Sequence, residues 1–151
     1  MRWVRVKTQN GPSYGIINND IISLVRGNLF ETIELTGEEI KLANAKIMVP
    51  LEPKTFYAAG LNYAQHVIEQ AKANNREPNI PDEPHVGYRA NNALIADGEP
   101  IIKPNDSSEE FQYEGELVVI IGKKGKNLTE EEALDIVFGY SIGNDISERK
   151  W

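Results

Sequence analysis

The stretch YEGELVVIIG at residues 113–122 carries the most information about the fold. Its Val, Ile and Leu content and the glycine that ends it predict a β-strand with an apolar body. Side chains alternate between the two faces of a strand, so Glu114 and Glu116 are expected to point the same way, about 6–7 Å apart along the backbone. Two carboxylates held side by side repel each other, and a hard divalent cation relieves that repulsion.

A third carboxylate, Asp145, lies in GYSIGNDIS at residues 139–147, which is also predicted to be a strand. An Asn-Asp pair at the end of an apolar strand either closes a turn or meets a ligand. The chain has no cysteine and only two histidines, so three carboxylates predict an oxygen-ligand site for Mg²⁺, Mn²⁺ or Ca²⁺. The alternative, that both glutamates face solvent on an edge strand, stays open at this point.

His66 and Glu69 are three residues apart in NYAQHVIEQAKANN (62–75), which predicts a helix capped by Asn62. A carboxylate on the same helix face can orient the imidazole and raise its basicity, which is an arrangement for a general base. The simpler interpretation is a surface hydrogen bond. The proline-rich loop NREPNIPDEPH (75–85) follows the helix and has the character of a lid over a site.

Arg89 is the only charged residue between Val86 and Ala96. One interpretation is an internal salt bridge to an acid, including one of the predicted metal ligands. The other is a clamp on a substrate carboxylate, for which a planar guanidinium is well suited, with the hydroxyl of Tyr88 as a second contact.

The first 25 residues alternate as strands do and predict a small antiparallel meander, followed by a short helix over LFETIEL (29–35). Pro50 and Pro53 indicate a boundary near residue 52, which divides the chain into residues 1–52 and 53–151. After the proline-rich loop we expect strands at VGYRA and EPIIKP and one further helix, EEEALDIVF, capped by Thr129. The predicted class is mostly β with a few helices (α+β), forming a roll or partly closed barrel.

Composition limits the function classes. The chain of 151 residues is 40% hydrophobic and 26% charged, as soluble globular domains are. It contains neither an apolar run of membrane-spanning length nor a signal-peptide pattern, so we expect a cytoplasmic protein. The net charge of −7 argues against nucleic acids and anionic membranes as partners. The acidity belongs to residues 76–151, which carry a net −8 against +1 for residues 1–75.

Taken together, these segments resemble the fumarylacetoacetate hydrolase (FAH) family. The matching stretches are FYAAGLNYAQHVIE (56–69), VGYRANNALIADGEPIIKP (86–104), YEGELVVIIGKKGKNLTEEEALDIVFGY (113–140) and SIGNDISERKW (141–151). The order of a His-x-x-Glu helix, a Glu-x-Glu strand and an Asn-Asp-x-Ser-x-Arg segment makes the signature specific. Arg89 stands where many relatives have lysine, and ERKW departs from the usual form of its motif.

The resemblance implies a catalytic β-roll around a divalent cation, preceded by a small β-rich domain, in a homodimer. It implies Glu114, Glu116 and Asp145 as ligands of Mg²⁺, Mn²⁺ or Ca²⁺, and His66 with Glu69 as the group that activates water or moves a proton. It implies substrates that are small 2-oxo or diketo acids. Relatives continue beyond the position of Trp151, so the roll is expected to be truncated here.

The first hypothesis for function is therefore hydrolysis of a carbon–carbon bond in an acylpyruvate or fumarylacetoacetate type of substrate. Isomerase, hydratase or decarboxylase activity within the same superfamily is the alternative, because those enzymes reuse the same metal and base. A hypothesis of a different class is a non-catalytic fragment or assembly partner, whose active site needs another chain.

Overall fold

The computed structural model describes residues 1–151 and contains eleven β-strands and two α-helices. The N-terminal part forms one five-stranded antiparallel sheet in the order β4-β3-β2-β1-β5. Its strands are β1 (Arg2–Thr8), β2 (Gly11–Asn18), β3 (Ile21–Gly27), β4 (Ile33–Lys41) and β5 (Lys46–Ile47). The first three strands confirm the predicted meander.

Short turns connect these strands because their residues tolerate a left-handed backbone. Gly11 has φ +106° where β1 turns into β2, and Asn19 has φ 53° between β2 and β3. The core of the sheet is made by Val4, Val6, Ile22 and Leu24, of which Val6 and Ile22 are fully buried.

The second part consists of three separate strand pairs and the two helices. Its strands are β6 (Tyr57–Gly60), β7 (His85–Tyr88), β8 (Phe111–Gln112), β9 (Gly115–Ile121), β10 (Val137–Asn144) and β11 (Ser147–Glu148), paired as β6-β7, β9-β10 and β8-β11. The helices are α1 (Ala64–Ala73) and α2 (Glu130–Asp135). The mostly β class with few helices is therefore confirmed, and no helix has the length and apolarity needed to cross a membrane.

Thr129 caps α2 as predicted. Its hydroxyl accepts from the backbone N–H of Glu132, and the Glu132 carboxylate accepts from the backbone N–H of Thr129. The bond that the Glu132 carboxylate accepts from the backbone N–H of Thr129 is the main reason why the pKa of Glu132 lies below its usual value, because it favours the charged carboxylate. The helix ends at Asp135, three residues earlier than the sequence pattern indicated.

Three local predictions were wrong. The segment LFETIEL is not helical, because Ile33–Lys41 pairs with β3 instead and Arg26 forms a cross-strand salt bridge with Glu34 at 2.8 Å. Residues 99–104 (EPIIKP) form no strand. The N-cap of α1 is Tyr63 without a side-chain bond, so Asn62 does not cap that helix.

An aromatic contact and an ion pair connect the N-terminal sheet to the rest of the chain. Phe138 of β10 packs edge-on against Phe30, with ring centroids 5.0 Å apart, and lies 6.0 Å from the ring of Trp3. The buried Arg5 of β1 pairs with Glu52 at 2.5 Å.

One face of the β9-β10 pair is apolar and exposed. The side chains on this face are Leu117, Val119, Ile121, Tyr140 and Ile142, and each is at least 45% exposed. The opposite face includes Glu116, Val118 and Ile120, which are half-buried. The hydrophobic core of the molecule therefore lies mainly in the N-terminal sheet.

We expect Ile22→Ala to lower the free energy of unfolding by about 2–5 kcal/mol, because it opens a cavity at a fully buried position. Urea unfolding followed by circular dichroism measures this change. The control is Ile102→Ala, at a side chain that is 76% exposed, where we expect a change within about 0.5 kcal/mol. Equal effects of the two substitutions would contradict the assigned core.

Candidate functional site

The antiparallel pairing of β9 with β10 brings the three predicted metal-ligating carboxylates to one end of the pair. Glu116 lies opposite Gly143, and Gly115 lies opposite Asn144. Beyond the last pair, the backbone N–H of Asp145 donates to the carbonyl oxygen of Glu114 at 2.9 Å. Gly115 and Asn144 are 29 positions apart in the chain, and Glu114 and Asp145 are 31 positions apart. The strand pairing makes each of these two pairs neighbours.

Glu114 differs from the sequence expectation in one detail. The strand β9 begins at Gly115, so Glu114 lies just before the strand and not within it. Its backbone N–H donates to Oδ1 of Asn144 at 3.0 Å, so a side chain takes the place of a ladder partner. The side chain of Asn144 therefore holds the backbone at Glu114, and Asn144 itself directly precedes Asp145 in the chain.

The guanidinium of Arg89 lies against this group of carboxylates. Its Nη2 donates to Oδ2 of Asp145 at 2.7 Å, and its Nε lies 3.2 Å from Oδ1 and 3.1 Å from Oδ2. The pKa of Arg89 is raised mainly by the hydrogen bonds to Asp145, and the charges of Glu114 and Glu116 raise it further. Of the two interpretations of Arg89, the internal salt bridge is the one that this structure contains.

Arg149 is a second cation at the site; it ends the Asn-Asp-x-Ser-x-Arg segment noted in the sequence, but no role at the site was assigned to it. Its guanidinium pairs with Oε1 of Glu114 at 2.8 Å and donates to Oε1 of Gln112 at 3.0 Å. The signal available in the sequence was its place in that motif, which by itself does not predict a contact with Glu114. Two of the three carboxylates are therefore already paired with arginines.

The donor set suits a hard cation, because it consists of carboxylate oxygens without sulfur or imidazole. The position of the Arg89 guanidinium also shows that this corner accommodates positive charge. In this conformation, however, no three acidic or imidazole side chains converge closely enough to hold a metal ion. Asp145 and Glu114 are turned towards Arg89 and Arg149, so metal binding requires those ion pairs to open.

His66 and Glu69 lie on α1, but they are not hydrogen-bonded to each other. Nε2 of His66 lies 2.9 Å from the amide nitrogen of Gln70, and Oε1 of Glu69 accepts from Gln65 at 2.8 Å. The expected contact between His66 and Glu69 does not form, because each side chain bonds to a residue four positions away instead. Residues four apart are also neighbours on a helix. Both side chains are exposed, and their role as a catalytic pair stays a prediction.

Strands β6 and β7 set the distance between the helix and Arg89. Gly60 pairs with His85 at the end where the chain continues towards α1, and Tyr57 pairs with Tyr88 at the end next to Arg89. The two ends are three residues apart, which is about 10 Å along a strand. No hydrogen bond joins His66 or Glu69 to the carboxylate group.

Tyr88 contacts Tyr57 on the neighbouring strand, with ring centroids 5.0 Å apart. The hydrogen bond between their hydroxyls raises the pKa of Tyr57. Beside them lies an open depression of about 470 Å³. Its lining includes Arg89 and Tyr88, which were predicted from the sequence to bind substrate, together with Lys54, Thr55, Phe56, Asn91 and Asn92, which were not.

Comparison with known proteins identifies the family. Residues 55–151 match the family described as "Fumarylacetoacetate (FAA) hydrolase C-terminal", and residues 1–50 match "Rv2993c-like, N-terminal". The chain belongs to the fumarylacetoacetate hydrolase family. The resemblance inferred from the motifs is therefore confirmed.

Individual relatives agree with this assignment. The fumarylacetoacetate hydrolase domain-containing protein 2 homolog of Dictyostelium discoideum is 43% identical over 117 residues, which are 78% of this chain and 36% of that protein. The homoprotocatechuate catabolism bifunctional isomerase/decarboxylase of Escherichia coli is 41% identical over 64% of this chain and 21% of that protein. The FAH superfamily thus includes isomerases and decarboxylases, and its matched members also include tautomerases and hydrolases.

A solved structure confirms the fold. The 5-carboxymethyl-2-hydroxymuconate delta-isomerase of Mycobacterium smegmatis superposes with a TM-score of 0.82 at 29% identity. The superposition covers 99% of this chain and 56% of that one. The chain therefore spans just over half the length of this relative and about a third of the first two curated relatives.

Gly143 allows the close approach of β10 to β9 beside Glu116. A Cβ at this position would lie 2.9 Å from Cγ2 of Val118, so we expect Gly143→Ala to lower the free energy of unfolding by about 1–3 kcal/mol. The matched control is Gly139→Ala in the same strand, where a Cβ would meet nothing within 4 Å. Urea unfolding compares the two variants, and an equal loss of stability would contradict this role of Gly143.

Proposed function

We propose that the protein is a divalent-metal-dependent enzyme of the FAH family that hydrolyses a carbon–carbon bond in a small 2-oxo or diketo acid. The observation that carries this proposal is the cluster of three carboxylates, Glu114, Glu116 and Asp145, at one end of the β9-β10 pair. The guanidinium of Arg89 is their counter-charge. These three residues are the proposed ligands of Mg²⁺ or, alternatively, of Mn²⁺ or Ca²⁺.

The donor atoms support a catalytic cation better than a structural one. Three carboxylates leave coordination positions for water and for substrate oxygens. When bound, the cation would polarise the carbonyl of a chelated 2-oxo acid and stabilise the negative charge that develops there.

The remaining roles fall to side chains of this chain. We assign to His66 the removal of a proton from water, once its bond to Gln70 opens, and to Glu69 the orientation of the imidazole. Both side chains are exposed and sit on a helix that is followed by the irregular segment 75–84, so they are free to change partners. Arg89, Tyr88 and Lys54 border the same depression and are suited to hold the carboxylate of the substrate.

A second candidate function is isomerisation, tautomerisation or decarboxylation of a related 2-oxo or 2-hydroxy-dienoic acid. The matched isomerase, tautomerase and isomerase/decarboxylase relatives favour it as strongly as the hydrolase relatives favour hydrolysis. In these reactions the substrate carbon is protonated, and water does not attack. Incubation of the protein and Mg²⁺ with an acylpyruvate and with oxaloacetate, followed by product analysis, distinguishes hydrolysis from tautomerisation and from decarboxylation.

We expect Mg²⁺ or Mn²⁺ to raise the melting temperature of the wild type. An ion present at one hundred times its Kd adds about 2.7 kcal/mol to the stability of the state that binds it. Glu116→Gln should abolish this increase, and the control Glu38→Gln, a carboxylate on the distant β4, should retain it. A melting temperature of the folded wild type that does not respond to either ion would overturn the proposed metal site.

We expect His66→Ala to lower kcat by about 10²–10⁴-fold and to leave the metal-dependent rise in melting temperature intact, because the side chain moves a proton and binds no metal. The matched control is Lys72→Ala on the same helix, with kcat close to that of the wild type. The measurement is the rate of substrate loss at saturating Mg²⁺. Unchanged activity of His66→Ala would refute the assignment of His66.

A further inference from the structure

The guanidinium of Arg89 contacts both oxygens of Asp145, one of the three proposed metal ligands. Both oxygens of Asp145 accept hydrogen bonds from the guanidinium, at distances from 2.7 to 3.2 Å. The side chains of Arg89 and Asp145 are 43% and 25% exposed, so water screens this pair only in part. The residues are 56 positions apart in the chain, and the fold itself brings them together.

A divalent cation and this guanidinium compete for the same oxygens. Both oxygens of Asp145 already accept from Arg89, so a metal ion would have to share them with a group of the same sign of charge. The charges of Glu114 and Glu116 also act on Arg89, so a positive charge already sits within the field of all three carboxylates. A divalent cation that approaches Asp145 is repelled by this guanidinium until the guanidinium moves away.

We infer that the Arg89 guanidinium occupies the cluster of Glu114, Glu116 and Asp145 before metal binds, and that the divalent metal has to displace this guanidinium. Arg89 thereby lowers the affinity of the site for metal and is released for the substrate only when metal is bound. This inference rests on the proposed function, because it requires a metal at Glu114, Glu116 and Asp145.

The surroundings of Arg89 offer the released side chain a second position. Arg89 also lines the depression of about 470 Å³ that contains Lys54, Tyr88, Asn91 and Asn92. Two cations beside neutral hydrogen-bonding groups favour an anionic ligand such as a carboxylate. One residue can therefore neutralise the acids before metal binds and bind the substrate acid afterwards.

The planar shape of the guanidinium matters for the contact of Arg89 with Asp145. Nε of the guanidinium bonds to Oδ1 of Asp145 while Nη2 bonds to Oδ2, a two-point contact that a lysine ammonium cannot reproduce. Arg89→Lys keeps the charge and loses the two-point contact, whereas Arg89→Gln loses both. A graded effect of the two substitutions on metal affinity is the signature of competition.

The test is direct Mn²⁺ binding, with free Mn²⁺ followed by electron paramagnetic resonance. We expect Arg89→Gln to lower the Kd for Mn²⁺ about tenfold, since it removes a charge-assisted pair, and Arg89→Lys to lower it less. The matched control is Arg26→Gln, which makes the same change of charge in an exposed ion pair with Glu34 and should leave the Kd unchanged. Circular dichroism confirms that each variant is folded.

The outcomes separate the two proposals. If wild type and Arg89→Gln bind Mn²⁺ with equal affinity, or if the variant binds it more weakly, the competition is refuted and the metal site stands. If neither binds Mn²⁺, the metal site and the proposed function fail as well.

A measurement on the wild type avoids any dependence on the folding of variants. In the metal-free protein, the Nε–Hε group of Arg89 should give a distinct NMR signal, because it is hydrogen-bonded to Asp145. Saturating Mg²⁺ should shift this signal towards the position of exposed arginines. A signal that is unchanged when Mg²⁺ is bound would overturn the inference.

Discussion

The register of β9 against β10 is the constraint on which the site depends. Glu116 faces Gly143 and Asp145 follows directly after the last pair, so one end of the strand pair collects the acids. A slip of one residue would move every side chain of a strand to its opposite face, and Glu116 would join the apolar side chains. At the end where the acids lie, the backbone N–H of Glu114 donates to Oδ1 of Asn144 across the two strands, and Gly143 leaves room for Val118.

The placement of basic residues follows from this concentration of acids. Residues 76–151 carry a net −8, and three of their eight Lys and Arg residues sit beside the strand ends. Arg89 pairs with Asp145, Arg149 with Glu114, and Lys150 with Glu110. These three ion pairs therefore reduce the repulsion between acids at the strand ends, where the negative charges lie close together.

Short-range patterns in the sequence were sufficient for the strands of the meander, for β9 and for the cap at Thr129, because each depends on neighbours within a few residues. They failed for residues 33–41, where pairing with β3 decides the conformation. The carboxylate group followed from strand periodicity and the family motifs. The contact between Arg89 and Asp145 was only one of two options, since nothing local selects a partner 56 residues away. The pairing of His66 with Gln70 was missed because a helix offers every residue several neighbours.

The uneven distribution of buried side chains has a consequence for cooperativity. Seven of the ten buried residues lie in the N-terminal sheet, and only Val67, Ala71 and Ala96 are buried elsewhere. Backbone amides of that sheet should therefore exchange only when the whole molecule unfolds, whereas those of β9 and β10 exchange through local opening at lower free energy. A ligand that binds only the folded form of this strand pair would therefore also stabilise these two strands against local opening.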